Sequence, residues 1–358
     1  MLIDRPRDVY VVDAFRTPIG TYGGMLSAVR PDDLAAHVVK AVVDRAPGPD
    51  PARIDDVYLG NANGAGEENR DVARMAVLLA GLPVTVPGVT VNRLCGSGME
   101  AVIQAARAVA LGEGAELIAD RYGITREQQD TYAPAGHEKA ARAWKDGAFD
   151  AEVVPYGDDA EGTAAVRDEG IREDTSLQAL GKLRPAFRET GDARCGTPGP
   201  KAGGGTVTAG NSSPLNDGAA ALLLMDEQEL RASGGEPLAR IRSSAVTGIT
   251  PQHFGLGPVE AAGRALKKAG RGFEALHTVE LNEAFAAQAL GCLAGWPDLD
   301  PALVNPHGGA IALGHPLGAS GARITGAAAH RLAAAGSGTG LATLCIGVGQ
   351  GLAVVLER

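Results

Sequence analysis

Residues 88–98 read Gly-Val-Thr-Val-Asn-Arg-Leu-Cys-Gly-Ser-Gly, a short apolar run that ends in a cysteine and three small residues. The run over Gly88–Asn92 predicts a strand, and the apolar spacing over Gly98–Leu111 predicts a helix. Cys95 would then lie at a helix N-terminus, where partial positive charge stabilises a thiolate. The small residues after it leave backbone N–H groups open to a developing oxyanion. An isolated cysteine is more often a small buried apolar residue, and that interpretation stays open here.

The chain on either side of this stretch alternates short strands with helices, which is the pattern of an α/β fold. In the helix beginning at Asp32, apolar residues recur every four positions, so one stripe is expected to pack against a sheet. The predicted strands cover Val9–Val12, Val57–Leu59 and Val89–Val91, and the predicted helices begin at Asp32, at Asn69 and after Cys95.

The second part of the chain, from about Pro237, repeats this order of elements. A second cysteine loop, Leu344–Gly349, resembles Leu94–Gly98 and follows another apolar run. The repetition predicts two duplicated halves. Its predicted elements are a helix over Val259–Ala269, a strand over Val279–Leu281, a helix from Glu283 and a helix from Ser320.

Between the halves lies a more charged stretch that we interpret as an inserted loop domain. Thr125 followed by Gln128 fits a capping box, and Pro134 is expected to break or kink the helix that follows. The predicted organisation is an N-terminal half over 1–119, the loop domain over 120–214, a return to the first half over 215–236, and a C-terminal half over 237–358.

Composition excludes several classes of protein. The 358 residues are 45% hydrophobic and 21% charged, which fits a globular chain with a large core. A net charge of −10 argues against a broad nucleic-acid-binding surface. No apolar stretch reaches the length of a membrane span and no secretory leader is evident, so a soluble cytoplasmic protein is expected. The four cysteines have no metal-ligand spacing, and no metal is expected.

Four further residues are candidates for chemistry. His315, between Gly314 and Pro316 in a glycine-rich loop, could act as a base or proton donor, although a loop histidine is often a bystander. His307 ranks below it. Cys345 ends an apolar run, and one nucleophile plus one proton carrier would need two such thiols. Asn282, after the strand Val279–Leu281, could cap a helix or orient a water.

Four segments taken together resemble the signature blocks of the thiolases. They are Asn92–Met99, Asn282–Phe285, Gly314–Pro316 and Cys345–Gly351. The similarity extends over nearly the whole chain, through Arg16–Gly20, Val207–Ser213 and Asn216–Ala220. The segment Ala65–Met75 is similar to the degradative 3-oxoadipyl-CoA thiolases in particular.

This resemblance implies a five-layer α/β/α/β/α fold built from two like halves, and acyl exchange between thioesters and coenzyme A. It implies no permanent cofactor, with coenzyme A and acyl-CoA as substrates, and a homodimeric enzyme. The implied role of Cys95 is that of the acyl-carrying nucleophile, of His315 the base that takes its proton, and of Cys345 the acid/base at the α-carbon. The resemblance further implies a water-positioning Asn282, an oxyanion-hole N–H at Gly347, and Ala209 and Ser213 flanking the pantetheine arm.

The chain departs from the family pattern in ways that bear on activity. After Glu116–Ala119 the family continues through a strand and several tens of residues of loop, whereas here Asp120 follows directly, so a core strand end, part of the acyl pocket and any tetramer contact would be missing. Phe254 stands where a biosynthetic thiolase has a pocket methionine, Pro214 follows Ser213 where glycine is usual, and residues 194–205 look like an insertion. Cys195 and Cys292 have no chemical neighbourhood and are interpreted as structural.

The sequence therefore predicts an acetyl-CoA C-acyltransferase that cleaves 3-oxoacyl-CoA in the degradation of fatty acids or aromatic compounds. Two alternatives stay open at this stage. One is a biosynthetic acetoacetyl-CoA thiolase. The other is an inactive acyl-CoA-binding relic whose pocket is broken by the missing segment.

Overall fold

A computed structural model describes residues 9–45, 51, 54, 57–64, 71–84, 86, 88–92, 94–101, 111–157, 164–186, 205–214, 216–249, 251–346 and 349–358. Its strands are β1 (Val9–Arg16), β2 (Gly20–Thr21), β3 (Val57–Gly60), β4 (Gly88–Val91), β5 (Asn216–Asp217), β6 (Ala220–Asp226), β7 (Ala239–Gly248), β8 (Thr278–Leu281), β9 (Thr339–Ile346) and β10 (Gln350–Glu357). Its helices are α1 (Pro31–Arg45), α2 (Val72–Leu79), α3 (Ser97–Glu100), α4 (Leu111–Tyr122), α5 (Arg126–Lys145), α6 (Leu177–Leu180), α7 (Glu227–Ser233), α8 (Gly257–Ala269), α9 (Ala286–Ala294), α10 (Ala310–Leu313) and α11 (Ser320–Ala335).

The largest sheet has six strands in the order β6-β1-β7-β10-β9-β8. Its C-terminal strands are buried along almost their whole length, and every residue of β9 is buried. This explains the near-continuous apolar sequence of β9, because a strand covered on both faces has no polar side to present. Strand β9 runs parallel to β8 and antiparallel to β10, so β8 and β9 end at the same edge of the sheet.

Two helices cover the faces of this sheet. Helix α8 buries its alanines and Leu266 in one core with Leu341 of β9 and Val355 of β10. Helix α11 buries Ile324 and Leu332 in a second core on the other side. Burial of such side chains contributes roughly 1.5–3 kcal/mol each for the larger ones.

The first half forms a smaller layer of its own. Strands β3 and β4 pair in parallel and form a separate two-stranded sheet. Helices α1 and α2 pack against each other and on this pair through a cluster that includes Val39, Val72 and Val77. The predicted helix from Asn69 begins at Val72, where the Asp71 carboxylate accepts a hydrogen bond from the Arg74 amide.

Helix α5 opens the inserted region and contains the predicted capping box between Thr125 and Gln128. The expectation that Pro134 breaks the helix is wrong, because α5 continues through it to Lys145. A proline inside a helix costs about 3 kcal/mol. Packing of the buried face, including Ala133, Ala140 and Ala143, outweighs that cost.

A buried ion pair ties the inserted region to β1. The Arg16 guanidinium donates to both carboxylate oxygens of Asp168, with Nη2 2.8 Å from Oδ2, and its Nε donates to Glu152. Asp168 also accepts from the indole of Trp144. A paired, hydrogen-bonded arrangement of this kind is what makes burial of these charges tolerable.

The other predicted elements are found with small shifts. Strands begin or end within a few residues of the predicted limits, and α8 and α11 lie where the periodicity places them. The helix expected from Glu283 begins at Ala286 instead, because Asn282 to Phe285 form the turn into it. Within the described ranges, no helix is both long and apolar enough to cross a membrane.

Candidate active site

Cys95 sits on a tight turn that follows β4. A short 3₁₀ turn over Leu94–Gly96 leads into α3, and the Cys95 side chain is buried. Leu94 has a positive φ of 45°, which is uncommon for a residue with a side chain. Two hydrogen bonds hold it there: Asn92 Oδ1 accepts from the Leu94 amide at 2.9 Å, and Ser97 Oγ donates to the Leu94 carbonyl at 2.7 Å.

The long helix expected after Gly98 is described only over its first turn, α3, because residues 102–110 lie outside the described residues. Residues from Leu111 onward belong to α4, which is a separate element. Stabilisation of a Cys95 thiolate by a helix dipole therefore stays a prediction.

Glycines bring the Cys95 turn and the His315 loop into contact. A β-carbon on Gly98 would lie 2.1 Å from the Gly318 carbonyl oxygen, and one on Gly60 would lie 2.2 Å from the Ser97 carbonyl. No real β-carbon approaches an atom so closely, so only glycine permits this backbone packing. Gly98 is three residues after Cys95 and Gly318 three residues after His315, so the approach sets the spacing of the two candidate catalytic residues.

His315 is buried and held on both ring nitrogens. Nδ1 lies 2.6 Å from Ser320 Oγ, and Nε2 lies 3.3 Å from Asn282 Nδ2. Ser320 Oγ donates its proton to the Pro316 carbonyl at 3.0 Å, so it accepts from Nδ1–H. This assigns the proton to Nδ1 and leaves Nε2 as an acceptor for the Asn282 amide.

The imidazole of His315 is kept neutral. Burial, and then the neighbouring Arg323 guanidinium, lower its pKa from the ordinary 6.5 to about 4. A neutral ring with a lone pair on Nε2 can accept a proton near pH 7. The His315 loop is further fixed by Asn216, whose Oδ1 accepts from the His315 backbone amide at 2.9 Å.

Asn282 and Cys345 lie at the carboxyl ends of neighbouring strands. The Asn282 amide donates to the Thr343 carbonyl of β9 at 3.0 Å, and Cys345 follows two residues later. The helix-capping interpretation of Asn282 is wrong, because α9 begins after Phe285 with no side-chain cap. Asn282 instead reaches His315, and its buried Oδ1 has no hydrogen-bond partner among the described residues.

The Cys345 thiol is held in its protonated form. Burial raises its pKa first, and the charges of Cys95 and Cys292 raise it further. The interaction with Cys95 shows that the two sulfurs, 250 positions apart in the sequence, lie within electrostatic range of each other. The site thus combines a buried thiol, a neutral imidazole and a second buried thiol.

The remaining candidates fall in several places. Cys292 is fully buried and donates to the Gly255 carbonyl at 3.3 Å, and burial raises its pKa to about 12, so it is structural as expected. His307 packs edge-on against Phe149 at 5.9 Å between ring centroids, in a cluster separate from the cysteines. Gly347 and Cys195 lie outside the described residues.

The candidate substrate-binding residues surround the turn into α9. Ala209 is exposed, and Ser213 is half-buried with both its amide and its Oγ donating to the Ala284 carbonyl, at 3.0 and 3.2 Å. Phe254 is only 1% exposed and packs edge-on against Phe285 at 6.4 Å. Phe254 shares an apolar cluster with Cys345, which places it beside the thiol.

Sequence reasoning did not single out the residues that hold the site together. Glu283 accepts from Tyr132 Oη at 2.9 Å, from Asn305 Nδ2 at 2.7 Å and from the Ile311 amide at 3.1 Å, joining α5 to the glycine-rich loop. Ser320 was noted only as the start of a helix. Their role depends on distant partners, so only the position of Glu283 beside Asn282 could have signalled it.

Comparison with known proteins follows from this geometry. The N-terminal domain model of the thiolases matches residues 9–115 and 110–228, and the thiolase C-terminal domain model matches residues 235–358. The chain belongs to the thiolase family. Its two duplicated halves and α/β layers are therefore those of a thiolase, and it is an acyltransferase that uses acyl-CoA.

Full-length relatives agree with this assignment. The chain is 43% identical to the beta-ketoadipyl-CoA thiolase of Pseudomonas aeruginosa, with 98% of this chain and 99% of that one covered. It is 42% identical to the 3-oxoadipyl-CoA/3-oxo-5,6-dehydrosuberyl-CoA thiolase of Escherichia coli, with 98% and 100% covered. These names favour neither acetoacetyl-CoA synthesis nor an inactive relic.

Solved thiolase structures have the same fold. The acetyl-CoA acetyltransferase of Bacillus anthracis superposes with a TM-score of 0.87 at 35% identity, covering 98% of both chains. Human mitochondrial 3-ketoacyl-CoA thiolase in complex with CoA gives a TM-score of 0.87 at 34% identity, with the same coverage. The predicted thiolase-like fold is confirmed.

The match also locates the segment that this thiolase lacks. The N-terminal model matches in two pieces that meet at residues 110–115, and the alignment with the P. aeruginosa relative runs over 417 positions, more than the 358 residues of this chain. Helix α4 continues without interruption past Ala119. The break therefore lies before or at the start of α4, and its expected position after Ala119 is corrected.

Proposed function

We propose that this thiolase cleaves 3-oxoadipyl-CoA with coenzyme A into acetyl-CoA and a shortened acyl-CoA. The observation that supports this substrate is identity of 41–43% over 98% of the chain to relatives named for it. Relatives named 3-ketoacyl-CoA thiolase, such as that of Aliivibrio fischeri at 40% identity, support 3-oxoacyl-CoA cleavage more broadly.

In the first half of the proposed reaction, Cys95 loses its proton to Nε2 of His315 and its sulfur attacks the 3-oxo carbon. The bond between C2 and C3 breaks, and the acyl group stays on Cys95 as a thioester. The electron pair goes to C2 of the leaving acetyl-CoA enolate, which takes the proton of the Cys345 thiol. A protonated Cys345 in the resting site supports the cleavage direction, since cleavage needs an acid at C2.

In the second half, the thiol of coenzyme A gives its proton to the Cys345 thiolate and attacks the acyl group on Cys95. The Cys95 sulfur leaves and recovers its proton from His315, so that the enzyme returns to its starting state. Fixed donors would hold the oxyanions that form in each half, with the Asn282 side chain at one site and the amides of Cys95 and Gly347 at the other.

The substrate is tested by comparing thiolysis of acetoacetyl-CoA, a longer 3-oxoacyl-CoA and 3-oxoadipyl-CoA by kcat/KM. We expect the highest value for 3-oxoadipyl-CoA. A higher value for acetoacetyl-CoA would contradict the proposed substrate without contradicting the thiolase assignment.

The nucleophile is tested with Cys95→Ser. Turnover should be abolished and coenzyme A binding nearly unchanged, because a serine hydroxyl is hardly ionised where a thiol is. Intact mass after mixing with acetyl-CoA should show one acetyl adduct on the wild type and none on the variant. Cys292→Ala is the matched control and should keep the adduct, since Cys292 is buried against the Gly255 carbonyl.

We also propose that the enzyme is a cytoplasmic homodimer. The family resemblance supports the dimer, and the absence of the loop segment argues against a tetramer. Light scattering on the purified chain tests the oligomeric state, and fractionation of the source cells tests the location.

A further inference from the structure

The two halves of the sheet framework differ by one strand. In the C-terminal half, β9 lies between β8, to which it is parallel, and β10, to which it is antiparallel. The N-terminal half repeats the outer pairs: β6 is antiparallel to β1 as β10 is to β7, and β3 is parallel to β4 as Val279 is to Val304. Within the described residues, no strand joins β3 to β6, so the counterpart of β9 is absent from this position.

A large cavity occupies the place of that strand. Its volume is about 1760 Å³, and both β3 and β6 line it. All seven residues of β6, from Ala220 to Asp226, contribute to its wall, which means that the edge of the strand and not one face looks into it. Strand β6 pairs only with β1, and β3 only with β4, among the described strands. Sheet edges of this kind are templates for another strand.

The walls favour an uncharged aliphatic occupant. Helix α1 contributes Leu34, Val38 and Val42 to the cavity, and β6 contributes three leucines. Strand β9, which fills the equivalent place in the other half, is buried on both faces over its whole length. A segment buried in this way has to be apolar at successive positions, and seven residues of strand span roughly 23 Å.

We propose that the cavity between β3 and β6 is a strand-acceptor site that binds an extended aliphatic segment of a separate polypeptide, parallel to β3 and antiparallel to β6. Main-chain hydrogen bonds to both edges would supply the affinity, as in other cases of strand addition. The segment that relatives carry opposite the gap in this chain is the natural model for the occupant.

The orientation places one end of the occupant beside the active site. Its carboxyl end would lie next to that of β3, where Gly60 packs against Ser97 and Gly98 of the Cys95 turn. The same cavity extends to His315 and Gly318. Strand β9, the equivalent in the other half, carries Cys345 at its own carboxyl end. Occupancy is therefore expected to stabilise the Cys95 turn.

The experiment uses the full chain and overlapping ten-residue peptides that tile the segment of the P. aeruginosa relative opposite the gap. We expect one group of overlapping peptides to bind, to raise the melting temperature and to slow amide hydrogen exchange in β3 and β6. The matched control is the same peptide N-methylated at alternate residues, which cannot form the ladder and should bind at least tenfold more weakly. Equal binding of both peptides, or no binding by any, would overturn the proposal.

A variant tests the location of the site. Leu223→Arg places a charge in the cavity and should weaken peptide binding at least tenfold, whereas Leu177→Arg, on the exposed surface of α6 and outside the cavity lining, should not. If Leu223→Arg does not fold, exchange in the unmodified chain decides the matter. Slow exchange of β3 and β6 without peptide would mean that the chain itself or a second copy fills the cavity, and would contradict a separate partner.

Discussion

Nδ1 of His315 lies 2.6 Å from Oγ of Ser320, and this contact sets the proton position on the ring. Because the serine hydroxyl is already committed to the Pro316 carbonyl, it can only accept from the imidazole. Nε2 is therefore the basic nitrogen, and Asn282 holds it in place from the other side. The contact spans five residues, from a loop to the first residue of α11.

Ser320→Ala should lower kcat about ten- to hundredfold with little change in KM, because one buried hydrogen bond of this kind is worth roughly 1–3 kcal/mol. Alkylation of Cys95 by iodoacetamide should slow by a similar factor, since it also depends on the base. Thr325→Val is the matched control, because Thr325 makes the same kind of bond within α11, to the Gly321 carbonyl, without touching His315. Equal loss in both variants would show a purely structural effect.

Cys345→Ala should separate the two chemical roles. The variant should still form an acetyl adduct on Cys95 from acetyl-CoA, because that step needs only Cys95 and His315. It should lose exchange of the acetyl methyl protons with solvent deuterium, which requires a base at the α-carbon. Mass spectrometry and NMR measure the two steps, and parallel loss of both would mean that the roles are divided wrongly.

Stability should fall between pH 6.5 and pH 4. Burial, followed by Arg172 for His137 and by Arg323 for His315, lowers the pKa of each histidine from 6.5 to about 4. In this window the unfolded chain binds protons that the folded chain does not, so the free energy of unfolding decreases as pH falls and is fully present above about pH 6.5.

His137→Asn tests this pH dependence. His137 Nδ1 accepts from the Arg172 amide at 3.1 Å, and asparagine keeps an acceptor near that position but does not titrate. The melting temperature of the variant should therefore fall less steeply between pH 7 and pH 4.5 than that of the wild type. Identical slopes would show that His137 does not contribute.

Gly98→Ala should reduce activity far more than an alanine elsewhere, because its β-carbon would collide with the Gly318 carbonyl and separate the Cys95 turn from the His315 loop. Displacement of catalytic groups by about 1 Å can cost on the order of a hundredfold in rate. Gly263→Ala in α8 is the control, since nothing lies within 4 Å of its β-carbon. That change should stabilise the helix by roughly 0.5–1 kcal/mol and leave kcat unchanged.

The sequence alone determined the elements and the chemistry-bearing residues. Strand and helix periodicity placed α8, α11 and most strands, because local alternation of apolar residues depends only on which face is buried. Motif spacing selected Cys95, Asn282, His315 and Cys345. It erred at Pro134, where packing of α5 outweighs local propensity, and at the position of the missing segment, since Ala115–Ala119 fits either a strand or the helix that it forms.

Only the tertiary structure decided how these residues act together. The proton position on His315, the protonated state of Cys345 and the contact between Gly98 and Gly318 all depend on partners far away in the chain. Burial and opposing backbone groups set these properties, and neither can be read from neighbouring residues. The open place between β3 and β6 likewise became visible only when the two halves were compared as sheets, because strand order is a property of the folded chain.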